Sequence, residues 1–373
     1  MGIPQLPRDV GRILVFACNL LGDSICRLPA IKAAKESHPG SALWVVADAR
    51  SGEVFSGQPF IDAVRPLERR GGPAAQARAW GSLARWARRL RPDFALDLYG
   101  SRRSALACRV SGARWRAGLH REGNSRWYNL RPRPGEPVPQ SGHLIQRINS
   151  YAALAGIRAP FAYCPLAVSD DHRAAAAAAL AACGLEEGRP LIVLNPAARV
   201  PAKRWAAERF AELARRVQAE TGAACAVATA PEDIAVSDEV AGRSRGAARA
   251  LPALPLKQLA AVLEGASLLV TGDTGVLHVG MAMGAATVVL AGPTDPELVA
   301  CAALPQVILF HRDACPEWAA GEQCPRYNTC QDRRCIDAVT VEEAVPAVRR
   351  ALELSGGKPP PASGGFTQPE RAE

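Results

Sequence analysis

Residues 268–278 read Leu-Leu-Val-Thr-Gly-Asp-Thr-Gly-Val-Leu-His, an apolar run that enters an acidic, glycine-punctuated turn and then a helical pattern. A strand ending at a helix N-terminus aims backbone N–H groups and the positive end of the helix dipole at one point, which suits a phosphate. The hydroxyl of Thr274 and the bare backbone of Gly275 would let that phosphate approach closely, although for this turn taken alone Asp273 or Thr274 acting as a plain helix cap is the commoner reading, and other segments must decide. A second candidate lies near the start of the chain. Arg12 to Ala17 is apolar and runs into Cys18-Asn19-Leu20-Leu21-Gly22-Asp23-Ser24, after which Ile25, Leu28 and Ile31 share one helical face. Asp23 therefore falls at the carboxyl end of the first strand, where open α/β sheets place ligands. There is no G-x-G-x-x-G, so a dinucleotide fingerprint is absent. A carboxylate here would repel a pyrophosphate but suits a general base acting on an incoming hydroxyl, with helix capping as the alternative.

In the second half, Leu191 to Leu194 leads into Asn195-Pro196-Ala197-Ala198-Arg199-Val200-Pro201-Ala202-Lys203-Arg204-Trp205. Lys203 and Arg204, just ahead of a helix, would supply two cations and free N–H groups to a diphosphate, or simply surface charge. Glu232, in Ala230-Pro231-Glu232-Asp233, follows a strand and offers a carboxylate to ribose hydroxyls, though capping explains it nearly as well.

The elements that must carry these loops alternate. Strands at 12–17, 42–47, 94–98 and 114–118 are separated by helical patterns at 24–36, 75–90 and from Arg102 onward. Strands at 191–194, 224–229, 267–271 and 287–290 are separated by helices at 206–221, 232–243, 256–264 and 275–283, and a closing helix spans 341–354. Such alternation predicts parallel, doubly wound sheets. Residues 122–142, rich in Arg, Pro and Gly, read as a long surface loop over a site. The alanine-rich, acid-started helix at 170–183 is expected to open the second half. The expected division is 1–165, 166–354 and a disordered tail at 355–373, where Pro, Gly and Ser replace any apolar pattern.

A chain of 373 residues with 48% hydrophobic composition is long enough for two cores. No apolar run reaches the roughly 18 to 20 residues that span a bilayer, and residues 1–9 lack a signal-peptide apolar region, so the expected location is the cytoplasm. The net charge of +9 is lopsided: residues 1–160 hold 25 Lys and Arg against 11 Asp and Glu, while the remainder holds 20 against 25. That surplus attracts polyanions, the candidates being nucleic acid, an anionic membrane face or an acidic glycolipid, or else it only solvates arginine-rich helices. Aromatic residues are 5% of the chain and form no evident stacking platform, which argues against nucleic acid. Eleven cysteines without an export signal argue against a disulfide framework. Cys315, Cys324, Cys330 and Cys335 fall in one loop that would place four thiols around a zinc ion, but the paired C-x-x-C spacing is missing.

Leu21-Gly22-Asp23, Pro201-Ala202-Lys203-Arg204-Trp205, Gly272-Asp273-Thr274-Gly275 with His278, and Gly292-Pro293-Thr294-Asp295-Pro296, in that order, resemble glycosyltransferase family 9, the heptosyltransferases of lipopolysaccharide core assembly. The resemblance runs from about Arg12 to Leu352, and Leu96 to Ser104 with Ser111-Gly112-Ala113 also fits it. The Asn19 to Asp23 opening and the Pro-Ala-Lys-Arg-Trp run look closer to type II than type I. The resemblance implies an α/β, GT-B architecture: two Rossmann-like doubly wound parallel-sheet domains facing across a cleft. It makes Asp23 the catalytic base. It assigns the nucleotide-sugar donor to Lys203, Arg204, Glu232, Asp273, Thr274, Gly275 and His278. The anionic glycolipid acceptor falls to Asn19, Arg102, Arg103 and Arg121. The chain departs from the family pattern at Ala197, usually glycine, and Gly272, usually asparagine. The expected reaction is inverting transfer of heptose from an ADP-activated donor to an inner-core sugar, at the cytoplasmic face of the inner membrane, without a metal or other cofactor. A family 9 transferase using another nucleotide sugar, or a GT-B-fold sugar-nucleotide epimerase, is the alternative.

Overall fold

Short runs of Val, Ile, Leu and Ala with almost no polar alternation form strands covered on both faces, as parallel sheets require. The computed structural model describes residues 6, 9–18, 20–49, 51–68, 71–120, 125–132, 142–185, 188–301, 303–318 and 323–356. Asn19, Arg121 and positions 357–373 of the expected tail lie outside the described residues.

The first sheet has five strands, β1 (Arg12–Phe16), β2 (Ala42–Asp48), β3 (Ala63–Leu67), β4 (Phe94–Asp97) and β5 (Trp115–Gly118), in the order β3-β2-β1-β4-β5. The second has six, β6 (Leu191–Asn195), β7 (Ala224–Val227), β8 (Ala248–Ala250), β9 (Leu268–Gly272), β10 (Ala286–Ala291) and β11 (Gln306–Phe310), in the order β11-β10-β9-β6-β7-β8. Every pairing is parallel, with Phe16 opposite both Val46 and Asp97 in the first sheet and Asn195 opposite Thr271 in the second. This is the expected pair of doubly wound sheets. Three edge strands, β3, β8 and β11, were not legible as strands. β3 is largely exposed and carries Pro66, so it lacks the continuous apolar run that marks its neighbours.

The helices are α1 (Leu21–Ile25), α2 (Leu28–Ser37), α3 (Gly52–Phe55), α4 (Pro73–Leu90), α5 (Arg102–Val110), α6 (Leu144–Ala153), α7 (Asp170–Ala182), α8 (Ala207–Thr221), α9 (Ile234–Arg243), α10 (Leu256–Gly265), α11 (Gly275–Ala282), α12 (Arg334–Asp337) and α13 (Val341–Leu354). The single helix expected at 24–36 is two. Pro29, in the first turn of α2, has no N–H to continue the ladder from α1, and the chain bends at Cys26 and Arg27. The expected surface loop at 122–142 is anchored inside the protein, because Tyr128 and Leu130 are buried and the Tyr128 hydroxyl donates to Asp97 at 2.8 Å.

Helices α4 and α5 cover one face of the first sheet, closing a core around Leu14, Phe16, Leu83 and Cys108. On the other face, α1, α2 and α6 enclose Ile13, Val15 and Leu96, and this core continues without a break into the second half, through Leu269 and Val279. Helices α8 and α13 close the far side of the second sheet over Ile192, Val270 and Val288. The two halves thus meet through one shared apolar layer.

His143 caps α6, its Nδ1 accepting from the Ile145 N–H at 3.1 Å, while Nε2 is buried without a hydrogen-bond partner. Burial pushes its pKa down from 6.5 to about 4. A folded pKa below the unfolded value means that the contribution to stability is complete above pH 6.5 and is lost as pH falls through about 4. Thermal melts should therefore fall on acidification through this window, and His143→Asn, which keeps a capping acceptor, should flatten that part of the profile. Identical pH profiles for the two proteins would remove His143 as the cause.

Candidate active site

In a doubly wound sheet, ligands bind outside the carboxyl ends of the strands where the order reverses. The reversals lie between β1 and β4 in the first sheet and between β6 and β9 in the second. Asp23 follows β1, Arg102 and Arg103 follow β4, Lys203 follows β6, and Asp273 follows β9. Five of the sequence-derived positions thus stand at the two switch points, and direct packing of α1 on α11 brings these points together.

Asp23 does not cap its helix. The N-cap of α1 is Leu20, and no hydrogen bond or ion pair joins the Asp23 carboxylate to another described residue. Its charge instead acts on three neighbours, Cys26, Arg27 and His278. Arg27 lies one turn further along and is only 1% exposed. Its Nε donates to the Leu98 carbonyl at 2.8 Å, and one terminal nitrogen is buried without a partner. Burial lowers its pKa, opposed by the negative charges of Asp23 and Asp97. Asp97, at the end of β4, is fully buried and accepts from the N–H groups of Tyr99 and Gly100 at 3.0 and 2.9 Å. Burial raises its pKa against those bonds.

On the facing side, Lys203 ends the 3-10 turn Pro201–Lys203. Its ammonium binds the Asp273 carboxylate, donates to the Asp273 carbonyl at 3.1 Å and lies 5.1 Å from the centre of the Tyr327 ring. The backbone of this loop rests on the ends of β9 and β10. A Cβ on Gly272 would meet the Lys203 carbonyl at 3.1 Å, and one on Gly292 would meet that of Ala202 at 3.1 Å. Arg204 is turned toward its own surroundings, with Nε on the Ala198 carbonyl at 2.7 Å and a terminal nitrogen 3.3 Å from Asp233. That pair sets the turn Pro231–Asp233 beside the lysine loop and leaves Glu232 exposed.

Thr274 is the N-cap of α11, yet its side chain caps nothing and its hydroxyl lies 3.2 Å from that of Thr271. The capping alternative therefore fails for Thr274 as it does for Asp23. Gly275 also answers a packing constraint. The space of its missing Cβ is taken by Leu21, at 3.1 Å, so the glycine serves helix packing. His278 makes the reciprocal contact: a Cβ on Gly22 would lie 2.4 Å from its ring. Its Nδ1 is 2.8 Å from the Tyr163 hydroxyl and 3.6 Å from the Cys26 thiol. Burial lowers the His278 pKa while Asp273 and Asp23, from opposite halves, both raise it.

Arg102 and Arg103 are exposed in the first turn of α5, where Ser101 forms a capping box with Ser104, and Arg103 donates to Gln76 at 2.5 Å. Among the described residues no three His, Cys, Asp or Glu side chains converge as a metal site, and Cys315, Cys324, Cys330 and Cys335 are free thiols. Their segment instead buttresses the lysine loop: Tyr327 lies over Lys203, Arg333 donates to the Arg204 carbonyl at 3.3 Å, and the Cys324 N–H donates to Pro293 at 2.9 Å. Tyr327, Tyr163 and Arg27 were not anticipated. Arg27 alone left a trace in the sequence, as a charge on the apolar face of a helix, one turn after Asp23.

Comparison with known proteins places this geometry. Residues 80–326 match the family model for glycosyltransferase family 9 (heptosyltransferase). The lipopolysaccharide heptosyltransferase 1 of Pseudomonas aeruginosa is 29% identical over 346 residues, covering 87% of this chain and 91% of that protein. Among solved structures, a family 9 glycosyl transferase from Veillonella parvula superposes with a TM-score of 0.79 at 21% identity, covering 94% of this chain and 100% of the other. The ADP-heptose lipopolysaccharide heptosyltransferase II of E. coli gives 0.73 at 20% identity, covering 92% and 99%. Relatives thus include both types, and they do not separate the two for this chain.

The glycine contacts give a direct test. Gly22→Ala forces a methyl group into the His278 ring, so overpacking should lower unfolding free energy by about 1–3 kcal/mol in a denaturant titration. An unchanged midpoint would mean that α1 and α11 do not pack this closely.

Proposed function

The chain belongs to glycosyltransferase family 9, and we propose that it transfers heptose from ADP-heptose to the inner core of a lipopolysaccharide precursor with inversion at the anomeric carbon. The reading rests on one observation above the others: the carboxylate of Asp23, unpaired among the described residues, and the Lys203–Asp273 pair act on a single imidazole from opposite sides of the α1–α11 contact. In this proposal the acceptor hydroxyl oxygen attacks the anomeric carbon and gives its proton to Asp23. The bond from that carbon to the diphosphate breaks, and ADP leaves with the electron pair. Lys203 exchanges its Asp273 partner for a phosphate oxygen, and Asp273 is then available to sugar hydroxyls. The uncapped start of α11 at Thr274 faces the same developing charge. Preorganised donors of this kind contribute about 3–4 kcal/mol each, so no metal is invoked. Glu232 is assigned to the ribose. Arg204 holds the turn that presents it and lends its charge to the diphosphate.

No described helix is long and apolar enough to cross a membrane. We assign the enzyme to the cytoplasm, acting on an anionic glycolipid at the inner membrane face, with Arg102 and Arg103 at the acceptor side of the crevice. The Asn19 to Asp23 opening and the Pro-Ala-Lys-Arg-Trp run favour the type II reaction.

Two substitutions separate the roles. Asp23→Ala should lower turnover about 10²–10⁴-fold while ADP affinity holds; near wild-type turnover would remove the base assignment. Lys203→Ala should weaken ADP binding about 10–100-fold by calorimetry, the loss of a charge-assisted bond, and unchanged affinity would refute the phosphate role. Labelled ADP-heptose incubated with and without a deacylated core acceptor tests the reaction itself. A transferase consumes the donor only with acceptor, whereas conversion of the donor alone would indicate an epimerase.

A further inference from the structure

The arginine surplus is not spread evenly over the first half. Between residues 73 and 110 there are eight arginines and two carboxylates, of which only Asp93 is exposed. Asp97 is buried, and Asp93 accepts from the backbone N–H groups of Gly11 and Arg12 at 3.0 and 2.8 Å. All eight arginines are exposed, and none forms an ion pair with a described residue. The second half differs: Arg173, Arg216, Arg243 and Arg349 each meet a glutamate. Helices α4 and α5, which carry the arginines, pack side by side on the outer face of the first sheet. On α4 the core-facing positions are Leu83 and Ala87, and at about 100° per residue Arg85, Arg88 and Arg89 fall on the opposite side. On α5 the exposed face holds Leu106 and Val110, 45% and 37% exposed, between Arg102 and Arg109 on one flank and Arg103 on the other.

We propose that the α4–α5 face docks this protein on an anionic phospholipid bilayer. A cationic face with an apolar ridge matches a surface of negative headgroups over acyl chains. A polyanion such as RNA would leave the ridge unused. It would also lack stacking partners, because Trp86, Trp115 and Trp127 each lie under an arginine of this chain, at 5.8, 5.4 and 4.8 Å. The first turn of α5 borders the edge of the sheet where Asp23 lies, so a glycolipid with its sugar at that edge would leave its acyl chains toward this face. That last link deepens the proposed acceptor, whereas the docking surface stands on charge and exposure alone.

The test uses the full chain and vesicles that contain no glycolipid. Cosedimentation with phosphatidylcholine vesicles carrying about 30% phosphatidylglycerol should exceed that with phosphatidylcholine alone and fall as salt rises. Arg85→Glu/Arg88→Glu/Arg89→Glu should reduce partitioning at least roughly tenfold, and Leu106→Asp/Val110→Asp should reduce it even at low salt. Neither variant should alter turnover of a soluble deacylated acceptor. Equal binding to both vesicle types, undiminished binding of the arginine variant, or displacement of bound protein by homopolymeric RNA at lower concentration than by lipid would overturn the proposal. Vesicle binding without transfer would instead count against the enzymatic reading, so the two failures are distinct.

Discussion

Two glycines and two side chains hold the working arrangement together. Leu21 of α1 fills the space a Cβ would take at Gly275 of α11, and His278 of α11 fills the space at Gly22 of α1. Each helix offers bare backbone where the other offers a knob, so the helices approach more closely than ordinary side chains permit. Asp23 directly follows Gly22, and Thr274 and Asp273 directly precede Gly275. Any shift at this contact therefore moves the candidate base and the candidate diphosphate site together.

The electrostatics follow from that proximity. Two carboxylates from opposite halves lie near one half-buried imidazole, and each has a cation on its own side: Arg27 for Asp23, Lys203 for Asp273. The cations are held differently. Arg27 is enclosed, fixed by the Leu98 carbonyl and unable to move toward a ligand. Lys203 sits on a short turn under an aromatic ring, with a carboxylate that a phosphate can replace. A fixed charge beside Asp23 and an exchangeable pair at Lys203 fit the base and leaving-group roles proposed for the two sides.

The cysteine-bearing segment and the arginine-rich helices extend this scheme outward. Between them, Tyr327 and Arg333 brace the loop that carries Lys203 and Arg204, which ties the donor side to chain more than 120 residues away. On the opposite flank the arginines of α4 and α5, without ion pairs among the described residues, leave a positive field, whereas several arginines of the second half, such as Arg173, Arg216, Arg243 and Arg349, meet glutamates. Charge asymmetry in the composition thus becomes a spatial asymmetry of the surface.

The residues themselves determined a good deal. Continuous apolar runs marked the inner strands because a strand covered on both faces cannot afford polar alternation, and that pattern, with helices between, implied doubly wound sheets. Asp23, Lys203 and Asp273 were legible because turns at carboxyl strand ends are where such sheets hold ligands. Of the edge strands, β5 was legible, whereas β3, exposed and interrupted by Pro66, and β8, only three residues long, carry little signal; β11, Gln306–Phe310, was missed despite its apolar run. Only tertiary packing decided that Gly275 makes room for Leu21, that Asp23 and Thr274 are released from capping, that Arg204 is paired with Asp233, and that Tyr327 reaches Lys203. Those are contacts between segments far apart in the chain, and local pattern carries no information about which distant side chain will fill a given space.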